Sequence, residues 1–363
     1  MHNRWLLKAI GRFAISLFIA FGLQAKVDLA VSNATTGPAS ELGNDLNRGA
    51  ELFFSEQSKS NISLHKRDDG YEPSRAMDNT VAFADAGHKL LFNYLGTPTT
   101  KAVFNYIRKE QLALIAPYTG ADFLREQSAI NIYNLRASYE QEAEFQARYF
   151  IEKLQLANIG IVIQADDFGL AFEKYFVEAL RRHGVKPKFV SRFKRNSNNV
   201  MNAASQIKRV KVEAVVFIGT YEPMSTLING MQKSKPELIY SSVSFVSSDQ
   251  LIDRIPVTTK LLVTEVVPNP ATCPYKECLT FLKLAKKHKV RVNHGSFEGY
   301  LNAYWLSNAI EACGDEVDED CVLQQLSSMP IQLLGAERKF NKLNRQLLND
   351  VFVTSLNLPM LAQ

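Results

Sequence analysis

Two short loops carry the residues best suited to grip a small polar molecule. Gly96-Thr97-Pro98-Thr99-Thr100 and Pro117-Tyr118-Thr119-Gly120-Ala121 are both small, hydroxyl-bearing and able to open a helix. Threonine hydroxyls and the unpaired N–H groups of a helix start can together donate several hydrogen bonds to one carboxylate. Helix capping accounts for one hydroxyl per loop, whereas two matched loops, each following a β-rich run, favour a ligand. Two further loops, Asp166-Asp167-Phe168-Gly169 and Gly219-Thr220-Tyr221-Glu222-Pro223, also follow β-rich runs. Their rings, Phe168 and Tyr221, could close over a bound solute, although lone aromatics more often serve core or surface.

The residue types needed for catalysis do not accompany these loops. There are six histidines and no HExxH arrangement, and no GxSxG, GxxxxGK[ST] or GxG occurs, which removes the common hydrolase, nucleotide and dinucleotide signals. No catalytic residue, cofactor or metal ligand is expected. The four cysteines fall as Cys273 with Cys278 and Cys313 with Cys321, close enough for two local loops, although three pairings are open. A zinc site is the alternative, but no CxxC is present and only His288 and His294 lie nearby. The basic runs Lys208-Arg209-Val210-Lys211 and Lys286-Lys287-His288-Lys289 lie far apart on segments that read as helix ends, so they read as solvated surface and not as a nucleic-acid stripe.

The amino-terminal residues set the compartment. Arg4, Lys8 and Arg12 precede an apolar run over 13–23, with a small residue at Ala25, the order of a cleavable secretory signal over 1–25. The run is about half the ~20 apolar residues that span a bilayer. Removing residues 1–25 takes away three positive charges and no carboxylate, lowering the formal net charge from +5 to +2. Export, here to the periplasm, favours disulfides over free thiols.

Elements that could position these loops alternate along the chain, the pattern of strand–helix units feeding parallel sheets. In the first half strands are expected over 27–32, 62–67, 89–95 and 112–116, with helices over 45–57, 73–85 and 101–110. In the second half strands are expected over 160–164, 214–218, 240–246 and 261–267, with helices over 139–154, 170–182, 200–209 and 223–233. Pro268-Asn269-Pro270 cannot continue a central strand and reads as a crossing between lobes. Helices over 274–287, 297–312 and 320–328 follow, then alternating segments at 339–340 and 351–356 with residues 341–349 as a hairpin turn.

Several stretches in shared order resemble the leucine/isoleucine/valine-binding-protein-like family of ABC-transporter solute-binding proteins, the type I periplasmic binding fold. They include Thr36-Gly37-Pro38, Arg48-Gly49-Ala50-Glu51-Leu52, Asp68-Asp69-Gly70-Tyr71-Glu72-Pro73, Gly96-Thr97-Pro98-Thr99, Thr119-Gly120-Ala121, Asn134-Leu135-Arg136-Ala137-Ser138, Asp167-Phe168-Gly169, Phe245-Val246 with Ser248, Val266-Val267-Pro268-Asn269-Pro270 and Ser296-Phe297-Glu298-Gly299-Tyr300. The resemblance implies an α/β fold of two Rossmann-like lobes with parallel sheets joined by three hinge crossovers. The first lobe would hold 26–138 and 271–335, and the second 139–270 and 336–363.

The resemblance also implies that Thr97, Thr99 and Thr119 take a ligand carboxylate and part of its ammonium, while Phe168 and Tyr221 cover it. Tyr118, Gly120 and Phe245 complete the expected ligand set. Amino-acid-binding members usually carry an acid after the strand matching 240–243, where this chain has Ser244-Phe245. Either another acid such as Glu298 reaches the cleft, or the ligand lacks that charge. The implied partners are a small molecule and an ABC permease, or alternatively a membrane sensor, with the protein acting as a monomer that hinges near Ser138 and Pro268 to Pro270.

Overall fold

The computed structural model describes residues 26–314 and 317–359; the expected signal segment lies outside the described residues. The first lobe is laid down by β1 (Lys26–Asn33), α1 (Ser40–Glu56), β2 (Asn61–Asp68), α2 (Pro73–Asp85), β3 (Leu90–Phe92), α3 (Thr97–Lys109), β4 (Ala113–Ile115) and β5 (Ile132–Tyr133). Its strands pair in parallel in the order β2-β1-β3-β4-β5. Side chains alternate across a strand, so Leu29, Val31, Leu90, Phe92 and Ile115 enter one core while Ala30, Leu91 and Leu114 enter another. Both faces of the sheet are therefore apolar and covered by helices, as parallel sheets require.

After β5 the chain crosses to a second sheet through α4 (Tyr139–Arg148), which Ser138 and Gln141 cap reciprocally. There follow β6 (Ile159–Gln164), α5 (Asp167–Arg182), β7 (Phe189–Phe193), α6 (Met201–Arg209), β8 (Ala214–Ile218), α7 (Tyr221–Met231), β9 (Ile239–Ser242), α8 (Ser248–Ile252) and β10 (Lys260–Glu265). The chain then returns through Pro268 and Pro270. α9 (Lys276–His288), α10 (His294–Glu311) and α11 (Glu319–Ser328) lay Phe281, Phe297, Trp305 and Val322 into the core beneath the first sheet. A hairpin of β11 (Ile331–Leu333) and β12 (Ala336–Arg338) precedes β13 (Phe352–Leu356), which joins the edge of the second sheet antiparallel to β10. That sheet reads β13-β10-β9-β8-β6-β7. Two parallel-sheet α/β lobes and three crossings between them are thus the architecture, as the resemblance implied.

Differences from the sequence reading have local causes. Helices α1, α3, α5 and α7 begin two to five residues earlier than expected, at Ser40, Thr97, Asp167 and Tyr221, because apolar periodicity is blind to a polar first turn. Within the expected turn over 341–349 the chain does turn back, Asn341 and Gln346 exchanging N–H···O bonds at 2.8 and 3.2 Å, but the segments on either side pair elsewhere, β12 with β11 and β13 with β10. Leu347 and Leu348 are buried in the first-lobe core, and Gln346 bridges to Asn134 beside β5, so this stretch is the third crossing. A separate hairpin of β11 and β12 lies earlier, turned by Leu334 and Gly335 at φ 52° and 75°, the paired positive φ values of a tight type I′ turn.

Helices α1 and α10 approach so closely that a Cβ on Gly49 would lie 1.7 Å from the Ser296 carbonyl oxygen. The cysteines pair as Cys273 with Cys278 and Cys313 with Cys321, with Cα separations of 6.1 and 6.0 Å. Both pairs tie segments of the first lobe.

Candidate functional site

The loops after β3 and β4 are bound to each other before they could bind anything else. Tyr118 N–H donates to the Tyr94 carbonyl at 2.7 Å, and Gly96 N–H donates to the Tyr118 carbonyl at 3.2 Å. Gly96 stands at φ 98°, and a Cβ there would meet the Tyr71 ring at 2.2 Å, so only glycine suits this turn. Thr97 and Thr119 hydroxyls then meet at 2.7 Å, and Thr119 reaches the Tyr139 hydroxyl at 3.3 Å. Gly120 lets Tyr139 approach, its carbonyl accepting from Tyr139 N–H at 2.8 Å. The result is a buried line of three hydroxyls that runs from Thr97 and Thr119 of the first lobe to Tyr139 at the start of α4, in the first crossing.

The second lobe supplies rings above that line. Phe168 lies in the first turn of α5, where Asp166 accepts its N–H at 3.1 Å. Phe245 lies in a 3-10 turn just after β9. Phe245 is 4.8 Å from Phe168, 5.7 Å from Tyr118 and 5.6 Å from Tyr71, centroid to centroid, and Phe168 is 5.3 Å from Tyr139. Rings from both lobes therefore touch, all are buried, and the lobes are closed on one another.

Of the residues expected from sequence, Thr97, Tyr118, Thr119, Gly120, Phe168 and Phe245 gather here. Thr99 does not face the same space, because its hydroxyl donates back to the Leu95 and Gly96 carbonyls. Tyr221 is buried to one side, under the Arg254 guanidinium at 4.8 Å and beside Glu41 of α1. Burial pushes its hydroxyl up to about 12.

Tyr71 and Tyr139 were not singled out as site residues by sequence reasoning. Tyr71 takes φ 61°, uncommon for a bulky residue, and its hydroxyl accepts from Gln164 of β6 at 3.2 Å, spanning the lobes. The Asp68-Asp69-Gly70 turn holds it there: Asp68 accepts the Thr35, Thr36 and Gly70 N–H groups, and Asp69 accepts Tyr71 N–H at 2.8 Å. Burial pushes Asp69 up to about 6. The signal was the run of two acids and a glycine before an aromatic residue, a sequence built to make a sharp turn.

Ionic contacts hold the lobes together at the rim and the hinge. Arg195 of the second lobe meets Glu72 at 2.8 Å and Asp166 at 3.3 Å, while Lys174 and Tyr175 reach Asp122 at 3.1 and 2.8 Å. His294 of α10 donates through Nδ1 to the Asp249 carboxylate of α8 at 2.8 Å and lies 3.8 Å from Glu265. Desolvation opposes its positive charge, but Glu265 and Asp249 outweigh it and push His294 up to about 9. At the first and third crossings, Arg125 donates to the Ala121 and Arg136 carbonyls and to Gln346, at 2.8, 2.9 and 2.9 Å.

Two α/β lobes whose strand-end loops face one another across a hinged cleft, hydroxyls on one side and rings on the other, define a two-lobed ligand-binding protein. The chain belongs to the family described as periplasmic binding protein, which it matches over residues 26–358. Among curated relatives, the Leu/Ile/Val/Thr-binding protein of Salmonella typhimurium is 21% identical over 225 residues, and the match covers 60% of this chain and 61% of that protein. The chain thus spans about three fifths of the curated relatives it matches.

Among solved structures, a possible leucine/isoleucine/valine-binding protein from Rhodopirellula baltica superposes with TM-score 0.85 at 23% identity, covering 92% of this chain and 96% of that one. A solute-binding protein of R. palustris in complex with benzoate gives TM-score 0.82 at 15% identity, covering 92% and 94%. A branched-chain amino acid ABC transporter protein from Thermus thermophilus with bound valine gives 0.80 at 14%, covering 92% and 94%. These relatives are binding proteins, and the chain shares their fold. No described helix is long and apolar enough to cross a membrane.

Proposed function

We propose that the protein captures a small polar ligand in the cleft between its lobes, outside the cytoplasm, and presents the closed form to an ABC permease as a monomer. The observation that carries this reading is the convergence of the Thr97 and Thr119 hydroxyls of one lobe and the Tyr139 hydroxyl at the first crossing with Phe168 and Phe245 of the other lobe. In a closed cleft the hydroxyls hold an oxygen of the ligand, such as one of a carboxylate, while the rings exclude water and strengthen each bond. The solved neighbours that hold valine and benzoate carry carboxylate ligands, which makes amino acids and related carboxylates the first compounds to test.

Opening would pivot on the crossings at Arg136 to Ser138, at Pro268 to Pro270 and at Leu347 to Asn349. On that division residues 26–138 and 271–348 move as one lobe, because Phe340, Leu347 and Leu348 share the core of the first sheet. The amino-terminal 25 residues serve as a cleavable export signal, and the two cysteine pairs are disulfides in the oxidising compartment.

Titration calorimetry of amino acids, short carboxylates and amides tests the reading. For the tightest compound found, Thr97→Ala with Thr119→Ala is expected to weaken binding at least about fivefold, since losing two buried hydrogen bonds costs ~1–3 kcal/mol. An affinity within about twofold of the wild type would mean that these hydroxyls do not hold the ligand.

A further inference from the structure

Beneath the Tyr118 ring lies a buried polar cluster that the hydroxyl line does not use. The Arg136 guanidinium is 4.4 Å from the Tyr118 ring centre on the first lobe and donates to Ser244, the residue before Phe245, on the second. It therefore stands where the strand-end loops of both lobes meet at the hinge. Its side chain and that of Glu298 are 1% and 3% exposed, and they face each other at 3.4 Å, longer than the about 2.7–2.9 Å of a good charge-assisted hydrogen bond.

The two carboxylates beside Arg136 differ in how well they are satisfied. Glu142 accepts from Ser244 N–H at 2.8 Å, from the Ser244 hydroxyl at 2.9 Å and from the Thr264 hydroxyl at 2.6 Å. Glu298 receives no hydrogen bond from the described residues, and its interactions are the charges of Arg136, Glu142 and His294. On the other side of the pair, Nε and Nη1 of Arg136 are buried with no hydrogen-bond partner among the described residues. Two buried donors without a partner thus stand beside a carboxylate that accepts no hydrogen bond from the described residues, and burying a polar group without a partner is costly.

We propose that Arg136 and Glu298 form a polar subsite for the ligand's second end, and that this end is a neutral carboxamide or a urea-like group. The inference rests on the reading of the cleft as the ligand site and adds the chemistry of its hinge end. A carboxamide N–H donates to Glu298 while its carbonyl accepts from Arg136, satisfying both halves with one planar group. A carboxylate would add a third negative group around one guanidinium already shared by Glu142 and Glu298, and burying an unbalanced charge is expensive. A lone ammonium would leave the unsatisfied N–H groups of Arg136 facing another cation. Burial pushes Glu298 up to about 7, which agrees with a site short of positive charge.

The test compares isosteric pairs that keep one carboxylate for the hydroxyls and differ only at the second end, succinamate with succinate and glutaramate with glutarate, by calorimetry on the full-length mature protein and on its Glu298→Gln variant. In the wild type the amide of a pair is expected to bind at least about tenfold tighter than its carboxylate. In E298Q, Arg136 regains a spare positive charge, so the ratio is expected to fall at least about tenfold and move toward the carboxylate. A variant damaged only in its packing would weaken both members and leave their ratio unchanged.

Carboxylates binding as well as amides in the wild type would overturn the proposal, as would an unchanged ratio in E298Q, or no binding of either amide up to about 10 mM. The wider reading fails separately, only if no compound of a broad set of amino acids, carboxylates and amides binds in the cleft at all.

Discussion

At the scale of single residues, Arg136 joins the two lobes at the hinge. It is one guanidinium shared between two buried carboxylates, packed on Tyr118 and tied to the second lobe through Ser244. Arg136→Ala leaves Glu142 and Glu298 buried without their cation, and removing one partner of a buried pair typically costs about 3–5 kcal/mol. Chemical denaturation is expected to show a loss of that size, while Glu298→Gln, which keeps shape and removes a charge from an overcrowded site, is expected to cost much less.

Tyr71 makes a related point about backbone. Its positive φ is held by Asp68 and Asp69 beneath it, and such conformations persist only where the surroundings over-determine them.

At the scale of elements, the contact of α1 with α10 holds the first lobe together under the cleft. Gly49→Ala would drive its Cβ into the Ser296 carbonyl, a backbone atom that cannot swing aside. A loss of about 1–3 kcal/mol is expected from forced overpacking, read as a lower thermal midpoint, and a variant as stable as the wild type would show that the helices can separate freely.

The elements were also where sequence reasoning was strongest. Long apolar strands such as β6 and β8, and α2 opened by Pro73, fall close to their expected bounds because burial on both faces leaves little ambiguity. The strand β7 was missed, since its residues alternate at the sheet edge in a run interrupted by Ser191 and Arg192. The third crossing was read only as a hairpin turn because nothing in its polar residues shows that they are buried against the first lobe, where Arg345 and Gln346 bond to the Ile132 carbonyl and to Arg125. Within the site, hydroxyl and ring positions after strands were legible from loop chemistry. The Arg136–Glu298 pairing was not, because its partners are far apart in sequence and meet only when both lobes fold.

At the scale of the whole molecule, closure is supported by rings in the cleft and by charges around it. The His294 contact is the part of this support that pH can reach. Its imidazole faces Asp249 from α8 and Glu265 from β10, with Ser248 beside them and Glu298 on its own helix. A raised histidine pKa stabilises the closed state fully below its ordinary value, and that support is lost as pH rises through about 9. On the acid side, His294 holds Asp249 below the usual carboxylate range despite burial, so its share is lost only as pH falls through those values. Small-angle scattering is expected to show a shift toward open forms between pH 7 and 10 that His294→Gln abolishes.

The rim pairs of Arg195 and Lys174 are partly exposed and contribute little by comparison. Closure is thus set mainly by what fills the cleft.

A crystal structure of the protein with the tightest ligand from the calorimetric set therefore tests the reading most directly. Ligand density is expected between the Thr97 and Thr119 hydroxyls and the Phe168 and Phe245 rings, touching both lobes. Density bound to one lobe alone, or at a surface that leaves those residues in contact with each other, would contradict it.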